Sequence, residues 1–227
     1  MSETAKQNAA AAAVRLVENG MRLGIGTGST AAHFVRLLGE RVADEGLKVS
    51  GVPTSERTAA LCREAGIPLS TLDDAPALDL AVDGADEFDP GLNLIKGGGG
   101  ALLREKIVAA NAARFVVIAD AGKRVGVLGA FPLPVEIVPM ARRPLAERIA
   151  ALGARVGLRR GDDGAVYVTD EGHWILDCAF GPTIAEPGQL AATLRALPGV
   201  VDHGLFCGMA ERVIVGTESG VEEVAAG

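Results

Sequence analysis

Residues 21–46 read MRLGIGTGSTAAHFVRLLGERVADEG, and this stretch indicates the class of fold. Residues 21–25 have the composition of a short buried strand, residues 26–30 form a glycine loop, and residues 31–46 have the apolar periodicity of an amphipathic helix. A strand that runs through a glycine loop into a helix is the repeating unit of an α/β protein with a parallel sheet.

The alternation of strand and helix continues along the first half of the chain. Strands are predicted at 47–52, 78–82 and 114–120, a loop and a helix at 53–66, and a further helix at 101–113. We therefore predict an α/β fold with a Rossmann-like parallel sheet and helices on both faces. In such folds ligands bind beyond the carboxyl ends of the strands.

The pattern changes near residue 128, where FPLPVEIVPM at 131–140 is rich in proline. We predict that residues 129–198 form a smaller inserted α+β domain with a ferredoxin-like antiparallel sheet. Residues 1–128 together with 199–227 are then the α/β catalytic domain. Two apolar runs, 199–206 and 211–217, are expected to return to the first sheet.

Composition and charge exclude several classes of protein. The net charge of −7 argues against a nucleic-acid-binding face, although a few lysines in one pocket could still bind a small anion. No apolar run has the length of a membrane span, and residues 1–20 lack a signal-peptide pattern, so we predict a cytoplasmic protein without a membrane partner. Three widely spaced cysteines suggest packing rather than disulfides or zinc: Cys62, Cys178 and Cys207.

The glycine loop at 26–31 predicts an anion site, because backbone N–H groups and the positive end of a helix dipole meet there. Its spacing also fits the dinucleotide fingerprint. That interpretation requires an acidic residue at the end of the second strand, whereas Pro53, Thr54 and Ser55 lie there and Glu56 comes too late. A single phosphate is the better hypothesis. The alternative is a tight turn in which Ser29 or Thr30 only caps the helix.

Residues 83–106, DGADEFDPGLNLIKGGGGALLREK, combine carboxylates, a lysine and four consecutive glycines. Asp83 and Asp86 follow an apolar run, so they are expected at the carboxyl end of a parallel strand. Lys96 precedes glycines that let a backbone approach a ligand closely, and Glu105 lies just inside the next helix. This set suits proton transfer beside a carbonyl group, with glutamate as the base and the ammonium ion stabilising negative charge on oxygen.

Other interpretations of these residues remain open. Asp83 and Asp86 are also typical turn residues, Glu105 could be an exposed helix carboxylate, and a carboxylate cluster could bind magnesium, although the adjacent lysine disfavours that. The ordered set as a whole favours function. The three histidines, His33, His173 and His203, lie in separate segments, so a hydrolase with a Ser-His or Cys-His pair has little support.

The chain resembles the type A ribose-5-phosphate isomerase family. The similar segments run in family order through nearly the whole sequence: GIGTGSTAAHFV, PTSERTAALCREAGI, DLAVDGADEFDPGLNLIKGGGGALLREKIVA, VVIADAGKRV, PLPVEIVPMA, PGVVDHGLF and VIVGT. The resemblance implies an aldose–ketose isomerase of the non-oxidative pentose phosphate pathway. Such an enzyme interconverts D-ribose 5-phosphate and D-ribulose 5-phosphate through an enediolate without a metal or organic cofactor. It also implies a homodimer or homotetramer.

The resemblance further implies the roles of the site residues. Glu105 is the base that moves a proton between C1 and C2, and Asp83, Asp86 and Lys96 assist ring opening and stabilise the charged oxygen. Lys6 is a further phosphate candidate. The implied substrate-binding residues are Thr27, Gly28, Ser29, Thr30, Asp83, Gly84, Ala85, Asp86, Lys96, Gly97, Gly98, Gly99 and Lys123.

Two other classes of function remain as alternatives. A sugar-phosphate oxidoreductase would use the first glycine loop for NAD or NADP. A non-catalytic sugar-phosphate sensor would keep the pocket but usually carries a basic DNA-binding helix, which we do not find in the sequence.

Overall fold

The computed structural model of the protein describes residues 2–225. The described chain divides into two compact units. The first unit contains residues 2–85, 104–124 and 208–225, and the second contains residues 86–103 and 125–207.

Six α-helices and thirteen strands lie within residues 2–225. The strands are β1 (Arg22–Ile25), β2 (Ser50–Pro53), β3 (Leu80–Asp83), β4 (Glu87–Phe88), β5 (Leu94–Ile95), β6 (Phe115–Asp120), β7 (Leu133–Ile137), β8 (Arg155–Leu158), β9 (Trp174–Ala179), β10 (Val200–His203), β11 (Leu205–Phe206), β12 (Arg212–Thr217) and β13 (Gly220–Ala225). The helices are α1 (Glu3–Val14), α2 (Ser29–Glu45), α3 (Glu56–Glu64), α4 (Leu102–Ala110), α5 (Arg142–Ala150) and α6 (Pro187–Arg195). None of them, in the part of the chain described, is long and apolar enough to cross a membrane.

The first unit is built on a six-stranded sheet with the order β13-β12-β6-β3-β1-β2. Neighbouring strands from β2 to β12 are parallel, and β13 adds an antiparallel edge. Ile25 and Ile118 contribute to a core with Phe34 of α2. On the other face, a side chain at Gly24 would overlap Val108 of α4, so this position needs glycine. The predicted α/β class and parallel sheet are confirmed.

Helix α1 packs closely against the sheet of the first unit because its buried positions are mostly alanine. Its N-terminus is capped by the Ser2 side chain, which accepts from the Ala5 N–H. A side chain at Gly216 of β12 would overlap the Ala5 carbonyl, so glycine permits this close approach of helix and strand.

The second unit follows the order β7-α5-β8-β9-α6-β10, and its four strands form an antiparallel sheet with the order β10-β7-β9-β8. Leu145 and Ile149 of α5 and Leu194 of α6 pack on one face of that sheet, among Val135, Ile137 and Leu176. A separate three-stranded antiparallel sheet has the order β11-β5-β4.

The observed units differ from the predicted domains in the position of residues 86–103, 125–128 and 199–207. All three segments belong to the second unit, because β5 pairs with β11, β10 pairs with β7, and Leu128 forms a β-bridge with Ile184. The Glu87 carboxylate also accepts from the N–H groups of Gly129 and Phe131. Of the two apolar runs expected to return to the first sheet, only 211–217 does so, as β12.

Two of the cysteines are chemically protected by burial. Cys62 packs in the core of the first unit and Cys178 in that of the second, and burial raises their pKa to about 11 and about 12 respectively. Cys207 is half-buried. Because the thiolate is the reactive form, Cys62 and Cys178 should resist thiol reagents while the protein is folded.

We expect Cys207 to react first with a chromogenic disulfide reagent at pH 8. At that pH only about 10⁻³ or less of Cys62 and Cys178 is thiolate. All three thiols should react after unfolding in guanidinium chloride. The Cys207→Ser variant serves as the control and should show almost no fast phase. Rapid reaction of two or more thiols in the folded protein would contradict this assignment.

Glu136 is a buried carboxylate on β7, and burial raises its pKa above the ordinary value of 4.5. Hydrogen bonds of its Oε1 to His173 Nδ1 and Thr169 Oγ1 oppose that shift, and the charge of Glu171 adds to it. The folded protein therefore binds a proton here at a pH where the unfolded chain does not. Burial of this carboxylate reduces stability above the folded pKa, and that cost disappears below the unfolded pKa.

We expect Glu136→Gln to remove this pH dependence. Between pH 8 and pH 4.5 the melting temperature of the wild type should rise relative to that of the variant. Protonation of Glu136 removes the free-energy cost of burying its charge, and the variant has no such charge. Thermal unfolding at several pH values measures the difference, with the exposed Glu147→Gln on α5 as the matched control. A wild-type-minus-variant difference that is constant with pH would contradict the prediction.

Candidate active site

Asp83 lies at the carboxyl end of β3 in the first unit, as predicted, and is only 3% exposed. Its Oδ1 accepts from the N–H of Thr27, at 3.0 Å, and from the N–H of Gly84, at 2.7 Å. A side chain at Gly26 would overlap this carboxylate, so the glycine that follows β1 is required here. Backbone donors therefore hold the carboxylate in one orientation between two strand ends.

A cluster of hydroxyl groups supports the glycine loop of the first unit. Thr27 Oγ1 lies 2.7 Å from Thr54 Oγ1, 2.8 Å from Ser55 Oγ and 3.1 Å from Thr58 Oγ1. Thr58 Oγ1 also donates to the Gly26 carbonyl. The Thr27 hydroxyl is therefore hydrogen-bonded within the first unit, and these bonds hold the glycine loop in place.

The end of the second strand was interpreted in the sequence only by its lack of an acidic residue. The contacts of Thr54, Ser55 and Thr58 with the glycine loop were not predicted. A signal was available, because β2 lies beside β1 and parallel neighbours end at the same edge of a sheet. Polar residues following β2 should therefore contact the loop that follows β1.

The glycine loop opens helix α2 as predicted. Gly28 has φ of +121°, a conformation that favours glycine, and its carbonyl accepts from the Ala32 N–H. Gly28 and Ser29 are exposed and Thr30 is half-buried, so the N-terminal end of a 17-residue helix is open to a ligand. The helix dipole makes this end favourable for an anion.

Two lysines of the first unit were predicted to contact the substrate. Lys123 is half-buried and follows β6, whose neighbour β3 ends in Asp83, so it lies at the same edge of the sheet. Lys6 on α1 forms an ion pair of 2.6 Å with Glu3, which also contacts His33. The geometry therefore gives Lys123 more support than Lys6 as a substrate ligand.

Glu105 lies in the first turn of α4 and is 4% exposed. The alternative that it is a solvated helix carboxylate is therefore wrong. A carboxylate in the first turn interacts favourably with the helix dipole, which partly offsets the cost of burying it. Burial of such a group without an apolar packing role is typical of a functional carboxylate.

The second unit holds Asp86 and Lys96. Asp86 precedes β4, and its Oδ2 accepts from the Gly98 N–H at 2.7 Å. Lys96 follows β5, is 2% exposed, and its ammonium group lies 5.5 Å from the centre of the Phe206 ring. Its backbone N–H donates to the Gly204 carbonyl. A lysine buried this deeply is not a solubilising surface charge.

The four glycines after Lys96 form a turn with two residues in the left-handed region, Gly97 at φ of +98° and Gly100 at +81°. Gly98 and Gly99 are exposed, whereas Gly97 and Gly100 are buried. Side chains at the buried positions would overlap Leu102 and Tyr167 respectively. Glycine is required by these contacts, and the exposed pair presents backbone to solvent. Gly84 and Ala85, also predicted to bind substrate, are half-buried.

The residues of the first unit and those of the second thus carry different parts of the predicted set. Within residues 2–225, no group of three or more His, Cys, Asp or Glu side chains is arranged to hold a metal ion. The first unit offers an oriented carboxylate and a buried glutamate, and the second offers an oriented carboxylate, a buried lysine and exposed backbone next to glycines. These groups can move protons and stabilise negative charge on oxygen.

Comparison with known proteins identifies the family. The model of the family described as ribose 5-phosphate isomerase A (phosphoriboisomerase A) matches residues 50–220. The chain is 57% identical over 225 residues to ribose-5-phosphate isomerase A of Nitrobacter hamburgensis, covering 96% of both sequences.

Solved structures agree with this relationship. Ribose 5-phosphate isomerase A of Methanocaldococcus jannaschii is 42% identical, with a TM-score of 0.95 over 99% of this chain and 100% of that one. A D-ribose-5-phosphate isomerase in complex with phospho-erythronic acid is 41% identical, with a TM-score of 0.96 and the same coverage. The chain therefore belongs to the ribose 5-phosphate isomerase A family.

Proposed function

We propose that this protein interconverts D-ribose 5-phosphate and D-ribulose 5-phosphate. The observation that carries the proposal is family membership over nearly the whole chain, together with a structural relative that binds phospho-erythronic acid. That ligand bears a phosphate and a carboxylate, and a planar carboxylate resembles the enediolate in shape and charge. The proposed place in metabolism is the non-oxidative pentose phosphate pathway.

We assign the central proton transfer to Glu105. In the open-chain aldehyde, the C2–H bond breaks, its proton goes to the Glu105 carboxylate, and its electron pair forms the C1=C2 bond. The electrons of the C1=O1 bond move to O1, giving the enediolate. Glu105 then returns the proton to C1 while the C2=O2 bond forms, and the hydroxyl proton of O2 ends on O1. The burial of Glu105 in the first turn of α4 supports this role.

Lys96 is assigned to stabilise the enediolate oxygen, since its buried ammonium group provides a positive charge where water is largely excluded. Asp83 and Asp86 are assigned to ring opening and to proton exchange between O1 and O2. Hydrogen bonds from Thr27 and Gly98 support these roles by holding the two carboxylates in fixed orientations.

The phosphate is assigned to the start of α2 and to Lys123. Gly28, Ser29 and Thr30 supply backbone and hydroxyl donors at the positive end of the helix dipole. The segment from Lys96 to Gly99, with Gly84 and Ala85, is assigned to the sugar hydroxyls. We assign the Thr27 side chain to stabilisation of the glycine loop, because its hydroxyl contacts Thr54, Ser55 and Thr58.

Three finer features accompany this proposal. The order β7-α5-β8-β9-α6-β10 and the antiparallel sheet support a ferredoxin-like classification of the second unit. A homodimer or homotetramer is proposed from the resemblance, and light scattering of the purified protein measures its mass. The cytoplasmic location stays a prediction from the sequence.

We expect Glu105→Gln to reduce kcat by about 10²–10⁴-fold, because the amide cannot accept the C2 proton. Ribulose 5-phosphate formation is followed in EDTA and without nucleotide, with calorimetric binding of phospho-erythronic acid as the measure of an intact site. The exposed Glu64→Gln on α3 is the matched control and should keep full turnover. Undiminished turnover of a folded Glu105→Gln variant would refute the assignment.

We expect Lys96→Met to reduce kcat by about 10²–10³-fold and to change KM less, because the negative charge develops in the transition state. Methionine keeps most of the apolar volume around Phe206. The exposed Lys48→Met is the matched control. If both variants turn over like the wild type, the ammonium group of Lys96 has no catalytic role.

Two further measurements on the wild type test the alternative classes of function. Stabilisation of the protein by NAD or NADP against thermal unfolding would favour an oxidoreductase. Binding of ribose 5-phosphate without any turnover in the folded wild type would favour a sensor.

A further inference from the structure

The glycine turn after Lys96 has its carbonyl groups fixed by side chains that come from a distant part of the second unit. Arg159 Nη1 donates to the Gly97 carbonyl at 2.7 Å and to the Gly98 carbonyl at 3.3 Å. Tyr167 Oη donates to the Gly99 carbonyl at 3.4 Å. Three consecutive carbonyls of the turn are thus held on one side.

Arg159 is itself held in place by a carboxylate. Its Nε donates to Asp177 Oδ2 at 3.0 Å and its Nη2 donates to Asp177 Oδ1, so the pair is bidentate. The arginine side chain is only 12% exposed. Its three nitrogens are divided between the carboxylate and the turn, a division that the single nitrogen of lysine cannot reproduce.

Tyr167 completes the support. Its ring occupies the space that a side chain at Gly100 would fill, and the guanidinium of Arg159 lies 6.0 Å from the ring centre. Burial raises the pKa of Tyr167, so the hydroxyl remains a donor at neutral pH. Its backbone N–H donates to the Arg159 carbonyl, which links the two supporting residues directly.

Fixing a carbonyl also fixes the N–H group of the next residue, because the peptide unit is planar and its C=O and N–H point in opposite directions. The carbonyl of Gly97 shares a peptide with the N–H of Gly98, which donates to Asp86. The carbonyl of Gly98 shares a peptide with the N–H of exposed Gly99. Arg159 therefore sets the direction of one donor that orients Asp86 and of a second donor on the exposed side of the turn.

We propose that Arg159, held by Asp177 and assisted by Tyr167, is a positioning residue for the isomerase reaction that acts through the peptides of Gly97, Gly98 and Gly99. This inference rests on the proposed function, in which Asp86, Lys96 and the turn serve the substrate. Arg159 does not take part in proton transfer. It keeps Asp86 and the exposed backbone donors in the orientation that the reaction needs.

The test compares Arg159→Met, Asp177→Asn and the double variant with the wild type. Arg160→Met is the matched control, because Arg160 is the exposed neighbour and its guanidinium donates to the Gly164 carbonyl rather than to the glycine turn. Turnover of ribose 5-phosphate is measured well below every melting temperature and expressed per phospho-erythronic acid binding site. This normalisation removes the effect of unfolded protein.

We expect kcat/KM of Arg159→Met to fall about 10–100-fold, since a displacement of about 1 Å in a reacting group can cost about 10²-fold. Asp177→Asn should give a smaller loss in the same direction, and the double variant should lose no more than Arg159→Met alone, because Asp177 acts through Arg159. Arg160→Met should stay within twofold of the wild type. A purely structural role of the pair would change melting temperatures without changing turnover per binding site.

Turnover of folded Arg159→Met within twofold of the wild type, with Lys96→Met inactive, would overturn the inference and leave the proposed function intact. Full turnover of Lys96→Met would overturn the proposed site and the inference with it. If Arg159→Met does not fold, Arg159→Lys and Tyr167→Phe decide: wild-type kcat/KM in both would overturn the inference, and a loss of fivefold or more in Arg159→Lys would support it.

Discussion

The strand ends of the first unit are positioned by the hydrogen bond from the Thr27 N–H to the Asp83 carboxylate, which joins the loop after β1 to the end of β3. The Asp83 carboxylate accepts from the N–H groups of Thr27 and Gly84, so two backbone dipoles from separate strand ends stabilise this buried group. This geometry leaves no room for a side chain at Gly26. The position of the Asp83 carboxylate therefore requires glycine directly after β1. The hydrogen bonds at this edge of the sheet therefore fix the orientation of the Asp83 carboxylate.

Much of this arrangement could be predicted from the sequence. In the first unit, β1 and β2 are short runs each followed directly by a helix, and a parallel sheet is the ordinary way to bury such repeating units. That fold places Asp83 at a strand end. The unusual composition of residues 83–106 then singled out Asp86, Lys96 and Glu105, and burial of Lys96 and Glu105 excludes the interpretation that they are ordinary surface charges.

Other parts could not be predicted because their signals are short or distant. Strands β4, β5 and β11 have two residues each, too few to show a period, and their pairing assigns residues 86–103 to the second unit. Arg159 lies 62 residues from Gly97. Nothing local to either residue indicates that a guanidinium will hold that turn. The hydroxyl cluster around Thr27 was predictable in principle, since it needs only the adjacency of β1 and β2.

The position of β12 within the sheet has a consequence for synthesis of the chain. This strand lies between β6 and β13 and comes from residues 212–217, whereas β1, the earliest strand of the same sheet, comes from residues 22–25. The sheet of the first unit can therefore be completed only after residues 212–225 have left the ribosome. Until then the edge of β6 that pairs with β12 is open and can pair with wrong partners.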